Sequence, residues 1–293
     1  MDDSHTTTEI WSQPDCWRQA AAVADSSVLP QSGARVAVTG CGTSWYVAQA
    51  YARLREARGH GVTDAFATSE MPSRDYDSVI AITRSGTTTE VVRLLDALAG
   101  RVPAVVVTAD PDSPVVSRAR EVVLLDFADE KSVVQTRFAT STLALLRAHL
   151  GEDMTSVAAD GESALHAPLD PAVQAEQVTF LGSGWTVGLA HEAALKLREA
   201  AQAWTESYPA MEYRHGPVSI AQPGRLVWMF GVPPDGLAEE VARTGASFYT
   251  SGDLDPMADL VRAQRLAVEQ AHARGLDPDR PRHLSRSVVL TRP

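Results

Sequence analysis

Cysteine is nearly missing from this chain. Its 293 residues carry two, Cys16 and Cys41, too few for a disulfide framework and without the spacing of a metal site. No metal is expected, and a reducing cytoplasm is the expected location. Long apolar runs are also lacking: none approaches the ~20 residues a membrane span needs. The first residues, MDDSHTTTEIWSQPD, do not have the charged-then-apolar layout of a signal peptide. Cations are in short supply. Lys and Arg total 26 against 37 Asp and Glu, a formal net charge of −11, which argues against a broad nucleic-acid surface. An anionic small ligand remains compatible, because helix dipoles and a few Arg side chains hold a phosphate locally. One glycine is missing where a dinucleotide loop needs it. In Thr39-Gly40-Cys41-Gly42-Thr43-Ser44-Trp45 the third glycine position is Trp45, and the nearest acidic candidate, Glu70, comes late and near Pro72. A nicotinamide is therefore not expected, nor any other cofactor.

What the chain does have is enough apolar material for two α/β lobes: 44% hydrophobic residues, with 19 Gly and 17 Pro. Residues 1–30 read as an N-terminal helical segment broken around Pro14. Residues 31–150 alternate short buried strands with helices. The strands are 35–39, 62–67, 79–82, 103–108 and 122–125, and the last helix is 136–150. Such alternation implies parallel strands joined by crossovers. Residues 151–171 read as a small- and polar-rich connector with helical patches. Residues 172–293 restart the pattern, with strands at 178–181 and 226–230, a helix over 257–274 and an Arg- and Pro-rich tail expected on the surface. The unit Gly40-Cys41-Gly42-Thr43-Ser44 lies 142 residues before Gly182-Ser183-Gly184-Trp185-Thr186, each between a strand and a helix. This looks like an internal duplication. The expected fold is α/β, two tandem doubly wound, flavodoxin-like parallel sheets.

Three stretches carry candidate chemistry. In Thr83-Arg84-Ser85-Gly86-Thr87-Thr88-Thr89-Glu90, hydroxyls and one glycine separate a buried strand from a helix. They either cap the helix or, with the N–H groups and dipole of its first turn, cradle a phosphate. The glycine-rich turn at Gly42, Thr43 and Ser44 is a second source of backbone donors for a sugar or phosphate. In Glu192-Ala193-Ala194-Leu195-Lys196-Leu197-Arg198-Glu199, helical spacing places Glu192, Lys196 and Glu199 on one face, either a solvated salt-bridge face or a packed one. Downstream, Glu206 to Pro217 reads as a loop that gathers carboxylates, Arg214 and His215. That histidine is either a surface residue or a group that moves protons near neutral pH.

Taken together, GCGTS (40–44), TRSGTTTE (83–90), EKSVVQTR (130–137), the block 192–217 and DPDRPRHLSRSV (277–288) resemble the sugar isomerase (SIS) family. The resemblance is closest to the isomerase half of glucosamine-6-phosphate synthase and to stand-alone double-SIS deaminases and isomerases. It implies a small phosphorylated sugar as ligand, bound between lobes, and a homodimer with shared active sites. Thr43, Ser44, Thr83, Ser85 and Thr88 would hold phosphate and sugar hydroxyls, with Val133 in the lining. Gly42, Arg84, Ser285 and Arg286 are further candidates for binding. Glu199 would be the base that moves a proton between C1 and C2, and His215, donated by a second subunit, would assist ring opening. Lys196, on the same helix face as Glu199, joins them as a catalytic candidate. The pattern also departs from the family. Arg84 stands in place of a glutamine, Thr83 of a serine and Arg137 of a lysine. Arg286 replaces the lysine that forms a Schiff base, and a guanidinium forms no imine. No Cys follows Met1, so no glutaminase half is expected. The expected activity is an isomerase or deaminase of an aminosugar- or ketose-6-phosphate. The alternatives are a non-catalytic phosphosugar sensor and a fructosamine-6-phosphate deglycase.

Overall fold

A computed structural model describes residues 4–24, 27–169 and 172–290. Parts of the expected 1–30 segment and 151–171 connector, and residues 291–293 of the tail, lie outside the described residues. The chain forms an α/β fold with two parallel sheets, carried by two compact units that interleave along the sequence.

The first unit comprises Asp15–Lys131, Arg137–Met154 and Ser285–Pro293. Its strands are β1 (Val36–Gly40), β2 (Thr63–Ala67), β3 (Ser78–Ile82), β4 (Ala104–Thr108) and β5 (Glu121–Leu124), in the order β2-β1-β3-β4-β5 and parallel throughout. β1 and β4 are buried along their whole length. Near-continuous Val, Ile and Ala runs suit strands covered on both faces. The helices are α2 (Gln13–Ala22), α3 (Thr43–Ala57), α4 (Thr89–Leu98) and α5 (Arg137–His149); α1 is His5–Trp11. Trp17 of α2 is fully buried and donates Nε1–H to Thr140 of α5 at 2.8 Å. The strand order reverses between β1 and β3. Loops leaving the carboxyl ends of two such strands diverge and open a crevice, the usual ligand position in open α/β sheets.

The second unit comprises Met1–Pro14, Ser132–Thr136 and Thr155–Leu284. Its strands are β6 (Gln177–Gly182), β7 (Thr205–Pro209), β8 (Arg225–Phe230) and β9 (Ser247–Thr250), in the parallel order β7-β6-β8-β9. Phe180, Trp228 and Phe230 stack in its core. Its helices include α6 (Met154–His166), α7 (Thr186–Ala201), α8 (Leu237–Arg243) and α9 (Pro256–Ala273).

Two sequence expectations change, and two, the helical patches of the connector and the break around Pro14, are located. The loop expected over 206–217 begins as strand β7, whose polar TESYP sequence suits an edge strand, where Pro209 is tolerated at its end; the next N–H, of Ala210, still donates to the Gly182 carbonyl of β6 at 2.8 Å. The connector holds a 13-residue helix, α6. The break expected at Pro14 falls at Ser12, because Pro14 sits in the first turn of α2, where a missing N–H costs nothing. The tail, grouped by sequence with the second domain, packs from Ser285 onward with the first unit.

Candidate active-site loops and the charged face of α7

Two loops flank the switch point of the five-stranded sheet. The first follows β1. A Cβ at Gly40 would lie 2.5 Å from the Cβ of Ser44 and 2.7 Å from its carbonyl carbon, so only glycine lets the strand meet the helix this closely. Gly182 meets Thr186 in the same way, at 2.3 Å from its carbonyl oxygen. The following glycines, Gly42 and Gly184, have φ of 54° and 58°. The two turns, 142 positions apart, thus solve the same steric problem identically. Thr186 Oγ1 accepts from the Ser183 N–H at 2.8 Å and donates toward the Phe230 carbonyl at 3.0 Å, closing its own turn. Thr43 and Ser44 are both buried at the start of α3.

The second loop follows β3. Thr83 is buried, and its N–H donates to the Val107 carbonyl at 3.0 Å. Thr88 is the N-cap residue of α4, yet its side chain makes no capping bond. The carbonyl of Val288, from the tail, accepts the Thr89 N–H at 3.1 Å, and the Leu290 N–H donates to Thr89 Oγ1 at 2.8 Å. The hydroxyls of Ser85, Thr87, Thr88 and the tail residue Ser287 form a chain. Thr87 Oγ1 lies 3.0 Å from Ser85 Oγ and 2.9 Å from Ser287 Oγ, and Thr88 Oγ1 lies 3.4 Å from Ser287 Oγ. Four rotatable O–H groups beside a helix N-terminus are donors an oxyanion can recruit.

Arg84 points elsewhere. Its guanidinium pairs with Glu130 at 3.2 Å, both side chains being 1% exposed or less, and donates to the Arg286 carbonyl at 3.1 Å. Glu130 also accepts the Arg137 backbone N–H at 2.7 Å, at the start of α5, and Arg137 Nε donates to the Asp129 carbonyl at 2.9 Å. Arg286 reaches back to the Glu130 carbonyl and the Asp129 carboxylate. Ser285 is exposed and donates to the Ser287 carbonyl at 2.9 Å. Sequence reading missed Ser287, Asp129 and Glu130 as neighbours of this loop, although Glu130 opens one of the motifs quoted above.

In the second unit, α7 carries a packed face. Lys196 Nζ lies 2.5 Å from Glu199 Oε2 and 3.5 Å from Glu192 Oε1. The Lys196 and Glu192 side chains are 1% and 2% exposed, that of Glu199 19%. The ion-pair face is therefore interior, with one carboxylate at its open end. His191, which sequence reading also missed although it adjoins Glu192, has Nδ1 2.8 Å from Ser207 Oγ of β7. Burial, and then the nearby Arg198 charge, hold its pKa below the ordinary value. His215 ends a single 3₁₀ turn, Glu212–His215, and is exposed. Its neighbours fix the turn: Tyr213 is fully buried, and Arg214 binds Glu240 at 2.7 Å and the Asp235 carbonyl at 2.6 Å. Val133 is half-buried in 132–136, where Ser132 is held by Glu9. Among the described residues no group of three or more His, Cys, Asp and Glu could hold a metal ion, and no helix is long and apolar enough to cross a membrane.

Comparison with known proteins agrees with this layout. Residues 29–150 match the SIS domain family. The chain carries a SIS domain. It is 27% identical to a glutamine–fructose-6-phosphate aminotransferase (isomerizing) of Pyrobaculum aerophilum over 96% of its length, covering 57% of that protein. It thus spans a little under three fifths of the curated relatives it matches in this way. Its fold matches glucosamine-6-phosphate deaminase of Thermotoga maritima, with a TM-score of 0.84 at 24% identity, over 98% of this chain and 100% of the other. It also matches the C-terminal domain of the Francisella tularensis glucosamine-fructose-6-phosphate aminotransferase, with a TM-score of 0.81 at 19% identity, over 96% and 99% of the two chains. The chain is thus similar in sequence to isomerizing aminotransferases and in fold to a glucosamine-6-phosphate deaminase.

Proposed function

We propose that this SIS protein is an isomerase or deaminase of an aminosugar- or ketose-6-phosphate that moves a proton between C1 and C2 with Glu199 as the base. The observation that carries this reading is the α7 face, where Lys196 is locked between two carboxylates and only Glu199 remains reachable. A carboxylate positioned over two adjacent carbons can take a proton from one and return it to the other through an enediol, while phosphate binding supplies the orientation. In the first unit, Thr43, Ser44, Thr83, Ser85 and Thr88 would hold the phosphate and sugar hydroxyls, with the donors of Gly42. In the second, Val133 would line the site and His215 would assist ring opening, donated by the partner chain of a homodimer. The matched glycine contacts at Gly40 and Gly182 support two tandem doubly wound domains derived by duplication.

The route needs no imine. An arginine, Arg286, occupies the tail position and is held by Asp129. The two lysines of the sequence are Lys131 and Lys196, and Lys196 is buried in ion pairs. The test is proton exchange in heavy water: fructose 6-phosphate and glucosamine 6-phosphate are each incubated with the protein and followed by NMR, with ammonia measured in parallel. Deuterium at C1 or C2 is the expected result. Phosphosugar binding without exchange on either substrate would instead indicate a sensor.

A further inference from the structure

Resting on that reading, we propose that Arg84 is a positioning residue. It latches the tail segment 285–290 onto the hydroxyl loop and does not itself contact the ligand. Within this unit the two arginines bridge reciprocally. Arg84, anchored on the Glu130 carboxylate, donates to the backbone of Arg286, while the Arg286 side chain donates to the backbone of Glu130 and pairs with Asp129.

The burial decides which arm does the holding. The Arg84–Glu130 pair is withdrawn from water, with side-chain exposures of 1% and 0%, so the charge of Arg84 is already neutralised and is not on offer to a phosphate. The bond from Arg84 to the Arg286 carbonyl is itself part-buried, but it is charge-assisted and its donor is fixed in place by the buried pair with Glu130. The remaining tail contacts are exposed or partly so: the Arg286 side chain with Asp129 and the Glu130 carbonyl, Val288 O with Thr89 N, Leu290 N with Thr89 Oγ1, and Ser287 Oγ with Thr87 and Thr88. Six tail residues do not stay ordered on such contacts alone. The latch keeps the Val288 carbonyl on the first N–H of α4 and the Ser287 hydroxyl in the chain formed with Ser85, Thr87 and Thr88. The ligand-facing geometry of the loop is therefore set by a residue that the ligand never meets.

The experiment measures amide exchange at Thr89 and Leu290 in the ligand-free protein, together with KM and kcat for the sugar phosphate turned over. Arg84→Met should speed exchange at both amides at least tenfold. It should raise KM at least tenfold with kcat within about twofold, because the reacting carboxylate is untouched. Ser287→Ala should raise KM several-fold while the Thr89 N–H, held by a backbone carbonyl, exchanges as before. Since Arg84→Met strands the Glu130 carboxylate, the double variant Arg84→Met/Glu130→Gln is measured as well; it should fold and exchange as fast as the single one. Unchanged exchange in the folded double variant would overturn the proposal, as would a raised KM with exchange unchanged, which would put Arg84 on the ligand. If the wild-type protein turned over no phosphosugar, the functional reading would fail, whereas the exchange result would still decide whether Arg84 holds the tail.

Discussion

The Lys196 ammonium lies 2.5 Å from the Glu199 carboxylate, one turn along α7, and the same ammonium faces the buried Glu192 at 3.5 Å. The two carboxylates therefore have unequal duties. Glu192 is interior and neutralises the lysine; Glu199 is partly exposed. Glu199→Gln should lower kcat by about 10²–10⁴-fold, the range for loss of a positioned general base, and leave the dissociation constant for sugar phosphate within threefold by calorimetry. A matching loss of binding would give Glu199 a structural role instead.

Lys196→Met should act on the fold. It leaves the Glu192 carboxylate, 2% exposed, facing an apolar side chain. Breaking a buried pair from one side costs about 3–5 kcal/mol. Urea unfolding should show that loss, and Glu192→Gln on top of Lys196→Met should restore much of it.

Gly86 is fixed by two constraints. Its φ is 60°, and a Cβ there would lie 2.1 Å from Ser113 Oγ and 2.4 Å from its Cβ. Gly86→Ala should lower stability by about 1–3 kcal/mol and weaken sugar-phosphate binding, read from the melting temperature with and without ligand. Ser85→Ala removes one hydroxyl without moving the backbone. A lost hydrogen bond to a charged group is worth about 1.5–3 kcal/mol, so phosphosugar affinity should fall about ten- to a hundredfold, with a small drop in the ligand-free melting temperature because the Thr87 N–H loses its acceptor, Ser85 Oγ at 3.3 Å.

Two half-buried histidines give a pH dependence of definite sign. Burial lowers the pKa of His191, helped by Arg198, and that of His149 in the first unit, where the Pro30 carbonyl opposes the effect. Each binds a proton more readily when unfolded. Above about pH 6.5, the unperturbed value, both states are neutral and the imidazoles contribute nothing. As the pH falls from there toward the lowered folded values, the unfolded state gains protons first and stability declines. Urea midpoints measured between pH 7.5 and 5.5 should fall, and the slope should be shallower in His149→Asn and His191→Gln.

The strands of both sheets were legible where burial on two faces demands continuous apolar runs, as in VAVTG and AVVVT. The glycine turns were legible because close backbone approach leaves one residue type. Strand β7 was not, since TESYP is polar and an edge strand has little apolar surface to cover. The packing of Lys196 was open in sequence because helical spacing names a face and not what lies against it. The direction taken by Arg84 was hidden for another reason: its partners, Glu130 and the Arg286 carbonyl, stand 46 and 202 residues away, and no local pattern encodes them.

The tail contact has a consequence for synthesis. Thr87 meets Ser287 across 200 residues, so the hydroxyl loop is translated long before the segment that completes it. At about 5–20 residues per second, the ribosome takes on the order of 10–40 s to make the intervening chain. From Leu124 onward, which is most of that interval, all five strands of the first sheet have been made, but the carbonyl that Val288 places on α4 has not. The loop therefore reaches its final form only after the second unit has been made.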